Sequence, residues 1–418
     1  AFYLCSKLSE ITFRNPLCIL YKSENFLPAE TKILGYDNST AQVYAEKYGN
    51  PFESIGQSSE TAIVDYGTLG GGSENGVYGI NVTWFLDAEG VLSIKGKDSM
   101  QHIYPKQESP WYKNESIKEV QIDNGITNIP NYAFEGCSNL EKVTIPDSIT
   151  SIGYFAFSFC GSLTEISLPA GLKYLGSHSF QMTNLKSVVV PEGIKSLKAS
   201  VFAHCPSLKT VQLPETLTEI REQAFSNCIS LESITIPDSV KYIGNGAFSY
   251  CNLLKEIEIP KKVDFISENT FASCSKLNSV ILPDNVKIIK KGAFSECGSL
   301  TEITLPVRLL RIEEGAFEKC PLDTVTFKNP FTDIQADFSS VKKICGYDDS
   351  TAQKYAQEND IEFVSLGEKP EAVEVAGGKC AFETGWSLDS SGKMTIHYLV
   401  EFDTGVAIEQ PPHYEEML

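Results

Sequence analysis

Eight cysteines keep step along the middle of this chain. Cys137 and Cys160 stand 23 residues apart, and Cys205, Cys228, Cys251, Cys274, Cys297 and Cys320 follow one another at that same interval. The 45-residue gap between Cys160 and Cys205 is one such interval plus one of 22, with Thr183 in the vacant place because "TNL" is a residue shorter than "CGSL". A run of fixed-length periods excludes an ordinary globular core. Each period is one supersecondary unit that can bury its apolar face only by stacking on its neighbours.

The shared frame reads L-x-x-[VI]-x-[ILVF]-P-x-x-[VIL]-x-x-[IL]-x-x-x-A-F-x-x-C. In one copy its fixed residues are Leu231, Ile234, Ile236, Pro237, Val240, Ile243, Ala247, Phe248 and Cys251. Leu231, Ile234 and Ile236 fit a short strand whose last two apolar residues point inward. Pro237 ends it, since proline cannot donate to a ladder and pre-sets a turn. The second half, through Ile243 and Ala247-Phe248, returns the chain by turns and short helical pieces. The phenylalanines that recur before each cysteine, Phe134 to Phe317, read as a core spine. Fixed letters face the shared core and drifting letters face water.

The period, the phrase of the type "LPxSVxxIGxxAFxxC" and the proline after the strand resemble the BspA-like branch of leucine-rich repeat solenoids. The resemblance runs from Ser116 to about Pro330, with Asp123 and Lys328 in place of proline in the first and last copies and Ser179 in place of the alanine before Phe180. It implies a leucine-rich repeat solenoid with small β-hairpin N-terminal cap modules and helical C-terminal caps. It also implies a non-enzymatic protein, extracellular on a bacterial cell surface, that contacts host or neighbouring-cell proteins.

A longer period lies over the short one. "ILGYDNSTAQVYAEKYGNPFESIG" from Ile33 returns as "KICGYDDSTAQKYAQENDIEFVSLG" from Lys343, and "WFLDAEGVLSI" at Trp84 returns as "WSLDSSGKMTI" at Trp386. The "STAQxYA" phrases have a helical face, with Ser39 and Ser350 as N-caps. The Trp segments read as hairpins with Gly at the turn. The expected organisation is a truncated last repeat with its C-terminal cap over 1–55 and a Gly/Ser-rich linker over 56–75. A β head-cap module over 76–115, the solenoid over 116–330 and a C-terminal cap over 331–366 follow. A linker over 367–376 and a second, truncated head-cap module over 377–418 complete it. This order is that of a slice through a longer tandem array.

Composition closes off several function classes. The 418 residues are 42% hydrophobic and 21% charged, with a net charge of −19, a surface that repels nucleic acid and anionic membranes. No apolar run reaches the roughly 20 residues of a spanning helix. The cysteines lack the paired C-x-x-C spacing of a zinc site. Equivalent Cβ atoms on stacked strands, about 4.8 Å apart, exceed the ~3.8 Å of a disulfide, so reduced thiols filling apolar space are expected, at Cys18, Cys345 and Cys380 as well. His102, His178, His204, His397 and His413 share no ligand spacing, and "GTLGGGSENG" lacks the GK[ST] of a phosphate loop. No catalytic residue, metal or cofactor is expected.

What remains is the concave strand face. One outward residue per turn lines it: Gln121, Thr144, Ser167, Val189, Gln212, Thr235, Glu258, Ile281, Thr304 and Thr326, with Glu256 in the neighbouring row. Thr and Ser there also suit β-propensity alone, and no aromatic cluster marks a sugar platform. Two readings stay open: a monomeric recognition or adhesion surface for a host or bacterial surface protein, and a structural spacer that displays another domain away from the cell wall.

Overall fold

A computed structural model describes residues 2, 5–20, 26–58, 62–69, 82–97, 99–100, 109–369, 384–388 and 394–398. These fall into two compact units, Ala1–Gly367 and Glu368–Leu418. The first is built around a parallel solenoid of 23-residue turns. One side carries short strands such as Glu119–Ile122, Lys142–Thr144, Thr210–Gln212, Glu256–Glu258 and Glu302–Leu305. Neighbours pair in parallel one period apart, Val120 opposite Val143 and Ile257 opposite Val280. A second ladder of two-residue strands, among them Ser151–Ile152, Glu219–Ile220 and Ile288–Ile289, places one buried aliphatic per turn in the core.

The return limb differs from the expected short helices: no helix occurs among the described residues from 109 to 350. The limb is a run of consecutive tight turns, laddered to the next, in which two residues per repeat take the left-handed conformation, two before and two after each spine phenylalanine. Gln223 (φ 55°), Asn227 (φ 59°), Gly246 (φ 61°) and Tyr250 (φ 61°) are examples. This alternation turns every second N–H toward the following turn. Gln223, Phe225 and Asn227 donate to the carbonyls of Asn245, Ala247 and Ser249, and Gly246, Phe248 and Tyr250 repeat the pattern onto Glu268, Thr270 and Ala272. A helix would direct those same donors back into its own turn. The stacked limb satisfies them between turns instead.

The phenylalanines form the core spine that the frame requires. From Phe134 to Phe317 successive rings lie 5.2–5.8 Å apart and close to parallel, the offset stacking that aromatic quadrupoles favour. The two widest steps flank Phe202, the spine residue after the shortened turn. Each ladder cysteine has a polar task that its letter did not reveal. Cys251 Sγ donates to the Phe225 carbonyl (3.3 Å) and Cys274 Sγ to that of Phe248 (3.2 Å). Those carbonyls also accept the amides of Cys228 and Cys251, so both lone pairs are used. Thr183 departs from this pattern: its hydroxyl donates to the Phe180 carbonyl of its own turn (2.9 Å), which also accepts from Cys205 Sγ (3.2 Å).

Burial governs the chemistry of these thiols. Desolvation pushes Cys137 and Cys274 to about 12 and Cys205 to about 11, and raises Cys160, Cys228 and Cys251 well above the ordinary range. The nucleophile is the thiolate. Alkylation of the native protein at neutral pH is therefore expected to modify the exposed Cys5 and leave these six untouched until denaturant is added. Peptide mapping reads the result; a disulfide between successive ladder positions would contradict the free-thiol arrangement.

Both ends of the spine recruit aromatics from outside the repeat frame. Trp111, fully buried, stacks on Phe134 at 5.2 Å. At the other end Phe317 meets Phe338, whose amide donates to the Tyr355 hydroxyl. Tyr355 lies on α2 (Thr351–Glu358), N-capped by the Ser350 side chain as its sequence suggested. Helix α2 occupies the return limb of its turn, and the strand Glu362–Ser365 follows it and pairs with Lys343–Gly346. A strand edge, not the helix, is therefore the final layer.

The first residues repeat this ending. Strands Glu10–Thr12, Lys32–Asp37 and Phe52–Gln57 form a parallel sheet, with α1 (Thr40–Tyr48, N-capped by Ser39) between the last two. The 56–75 segment, read as a linker, contains the strand Ile63–Leu69, paired antiparallel with Val82–Asp87. Its Gly/Ser content hid the apolar Ile63 and Tyr66, which bury with Tyr44, Ala45 and Phe85 in a second core. Val82–Asp87 and Val91–Gly96 make the expected hairpin, and Val91–Gly96 pairs in parallel with the first solenoid strand. In the second unit, Thr384–Leu388 and Met394–Tyr398 pair antiparallel with Trp386 opposite Ile396. That is the register of Trp84 and Ile94 one long period earlier.

Candidate functional site

Parallel register sets the outward side chains of the strand face in rows. Gln121 lies opposite Thr144, Val189 opposite Gln212, Glu258 opposite Ile281 and Thr304 opposite Thr326. All are exposed except Thr326, which is half-buried. Ser167 and Thr235 are exposed too, on turns whose backbone forms no named strand. The row also extends beyond its sequence-derived ends. Ser93 of the head hairpin stands opposite Gln121, and Cys345 stands opposite Thr326.

The electrostatics of the face are uneven. At its start Lys142 Nζ meets Glu119 at 2.9 Å, and this bond, aided by Gln121, lowers the Glu119 carboxyl below its usual range. In mid-face Glu256 stands opposite Ser279 and Glu258 opposite Ile281. Two aliphatics break the polar surface, Val189 at 59% and Ile281 at 56% exposure, and four turns separate them. The face therefore offers single apolar contacts among hydroxyls and carboxylates, and no continuous apolar patch.

Sequence reasoning missed an aromatic group on the return face. Tyr132 stacks on Phe155 at 5.3 Å and Phe155 on His178 at 4.4 Å, all three at the left-handed position two residues before the spine. Phe159 and Met182 lie exposed in the row two residues after it. Only the 23-residue spacing of Tyr132, Phe155 and His178 could have revealed the stack. The rings cover one another's faces, so the stack offers no continuous flat platform. His178 Nδ1 also meets Gln181 at 2.9 Å, and His204 meets Asn227. Backbone alone is described for His397; His102, His413 and Cys380 lie outside the described residues. Among the described residues no group of three or more His, Cys, Asp or Glu could hold a metal ion, and no helix is long and apolar enough to cross a membrane.

Comparison with known proteins identifies the repeat. The BspA type leucine rich repeat region matches in six copies over residues 107–232 and 218–344, more than half of the chain. A leucine-rich repeat protein from Bacteroides ovatus is 23% identical, with 68% of this chain and 98% of that one covered and a TM-score of 0.35. One from Eubacterium ventriosum is 22% identical over 66% and 95%, with a TM-score of 0.38. A leucine rich cell surface protein from Faecalibacterium prausnitzii is 21% identical over 73% and 99%, with a TM-score of 0.35. No curated protein sequence matches.

Proposed function

The chain belongs to the BspA-type leucine-rich repeat family, and from that membership we propose that it is a non-enzymatic protein of the bacterial cell surface whose strand face recognises another protein. The observation that carries the reading is the juxtaposition of Glu258 with Ile281, both exposed and opposite in register, beside Glu256. A recognition hot spot needs an apolar anchor ringed by polar groups that set specificity and orientation. Carboxylates beside the anchor favour a partner that brings Lys or Arg to an apolar pocket.

The test uses immobilised host extracellular-matrix proteins and bacterial surface proteins, titrated with the intact chain by surface plasmon resonance. Replacing Glu256 and Glu258 by Lys, and separately Ile281→Asp, should each weaken binding by about tenfold or more, the loss of one hot-spot contact. Lys241→Glu, outside the strand face, should bind normally. All these side chains face water, so the melting transition should hold. Equal affinity across the set would reject the strand face and leave the spacer.

A further inference from the structure

The return face carries a second surface of different chemistry. Alongside Phe225, Phe248, Phe271 and Phe294 lies a trough of about 430 Å³, within the roughly 300–1,000 Å³ of ligand clefts. One wall is Gln223, Asn245 and Asn269; the other is Tyr250, Ser273 and Glu296; Ser249 and Ala272 lie between them. The walls are stiff. Five of those six residues sit in the left-handed rows, and their amides are tied between turns. That conformation is costly for any residue with a Cβ. The fold accepts glycine there, at Gly246 within the trough lining and at Gly292 and Gly315, so the conformation itself needs no side chain.

Their chemistry narrows the ligand. Amides and hydroxyls both donate and accept, and Glu296 is held ready, one oxygen accepting from Ser273 Oγ (2.9 Å) and the other from Lys319 Nζ (2.6 Å). No residue lining the trough is basic, Lys319 beside it is already paired with Glu296, and the chain is strongly acidic, all of which disfavour an anionic ligand. An apolar ligand would strand the amides unpaired. Tyr250 is 53% exposed and offers a ring to a C–H face. The lining comes from four successive turns, from Gln223 to Glu296, so the trough runs along the solenoid axis. We propose that this trough binds a neutral linear glycan lying along the solenoid axis, with its hydroxyls on the amide wall and one ring against Tyr250.

Isothermal titration of the intact chain with cellohexaose, mannohexaose, xylohexaose and the acidic hexagalacturonate tests this. At least one neutral hexasaccharide should bind saturably and hexagalacturonate should not. Tyr250→Gly and Asn269→Gly remove the ring and the amide while leaving the left-handed backbone unstrained, so their folding should persist. Each should weaken binding by about tenfold or more, and Tyr250→Phe should restore most of it. The Glu256, Glu258 and Ile281 variants should bind the glycan normally, which separates this site from the strand face. Absence of saturable binding by all three neutral sugars, affinity unmoved by both glycine variants, or equal binding of hexagalacturonate would each overturn the proposal.

Discussion

Phe248→Ala is expected to destabilise the middle of the solenoid by about 3–5 kcal/mol, the range for emptying a buried phenylalanine site. Phe248 is fully buried, with Phe225 at 5.3 Å on one side and Phe271 at 5.5 Å on the other. The ladders clamp the backbone of all three turns, so the walls of the cavity have little room to collapse. Two ring contacts vanish with one substitution, each worth about 0.5–1.5 kcal/mol beyond its area. A repeat array spreads such a loss to nearest neighbours only. Hydrogen exchange should therefore quicken first in the turns of Phe225, Phe248 and Phe271, with a matching fall in the denaturant midpoint. A loss below about 1 kcal/mol would mean that the spine is not the core.

The spine was legible because period fixes neighbours. Once Phe225, Phe248 and Phe271 recur at 23 residues, the ring that each one touches follows without knowledge of the backbone path. The outward rows followed from period-two alternation in the same way, and the N-caps at Ser39 and Ser350 from a serine placed before each helical phrase. The return limb was not legible, because its conformation belongs to the ladder and not to any letter. The left-handed positions hold Tyr132, Phe155, Gln223, Asn269 and Lys319 as readily as Gly246 and Gly315. A helix former such as Gln or Lys is set there against its local preference by hydrogen bonds one turn away. The trough lay hidden for that reason, since its rows change side-chain type from turn to turn, Gln223, Gly246 and Asn269 in one and Tyr250, Ser273 and Glu296 in the other. In the 56–75 segment composition outweighed pattern: Ile63 and Tyr66 had an apolar partner in α1, which no local window contains.

Trp111→Ala should cost about 3–5 kcal/mol as well, but at an end, and that changes what is observed. Trp111 stacks on Phe134, meets Trp84 edge-on at 5.8 Å, and lends its carbonyl to Cys137 Sγ at 3.1 Å. Its removal opens one side of the first turn and leaves the far turns their neighbours, so opening should be local and graded along the array. The thiols report it. Cys137 should become open to alkylation in the native protein while Cys251 stays protected, and Trp111→Phe should keep much of the protection because a stacked ring remains. Strand-face residues near that end, Gln121 and Thr144, would lose their fixed positions, whereas Glu256, Glu258 and Ile281 would keep theirs. A partner that reads the middle of the face should still bind Trp111→Ala. Uniform labelling of Cys137 and Cys251 would instead show that the solenoid opens as a whole, and would refute nearest-neighbour coupling as the source of its stability.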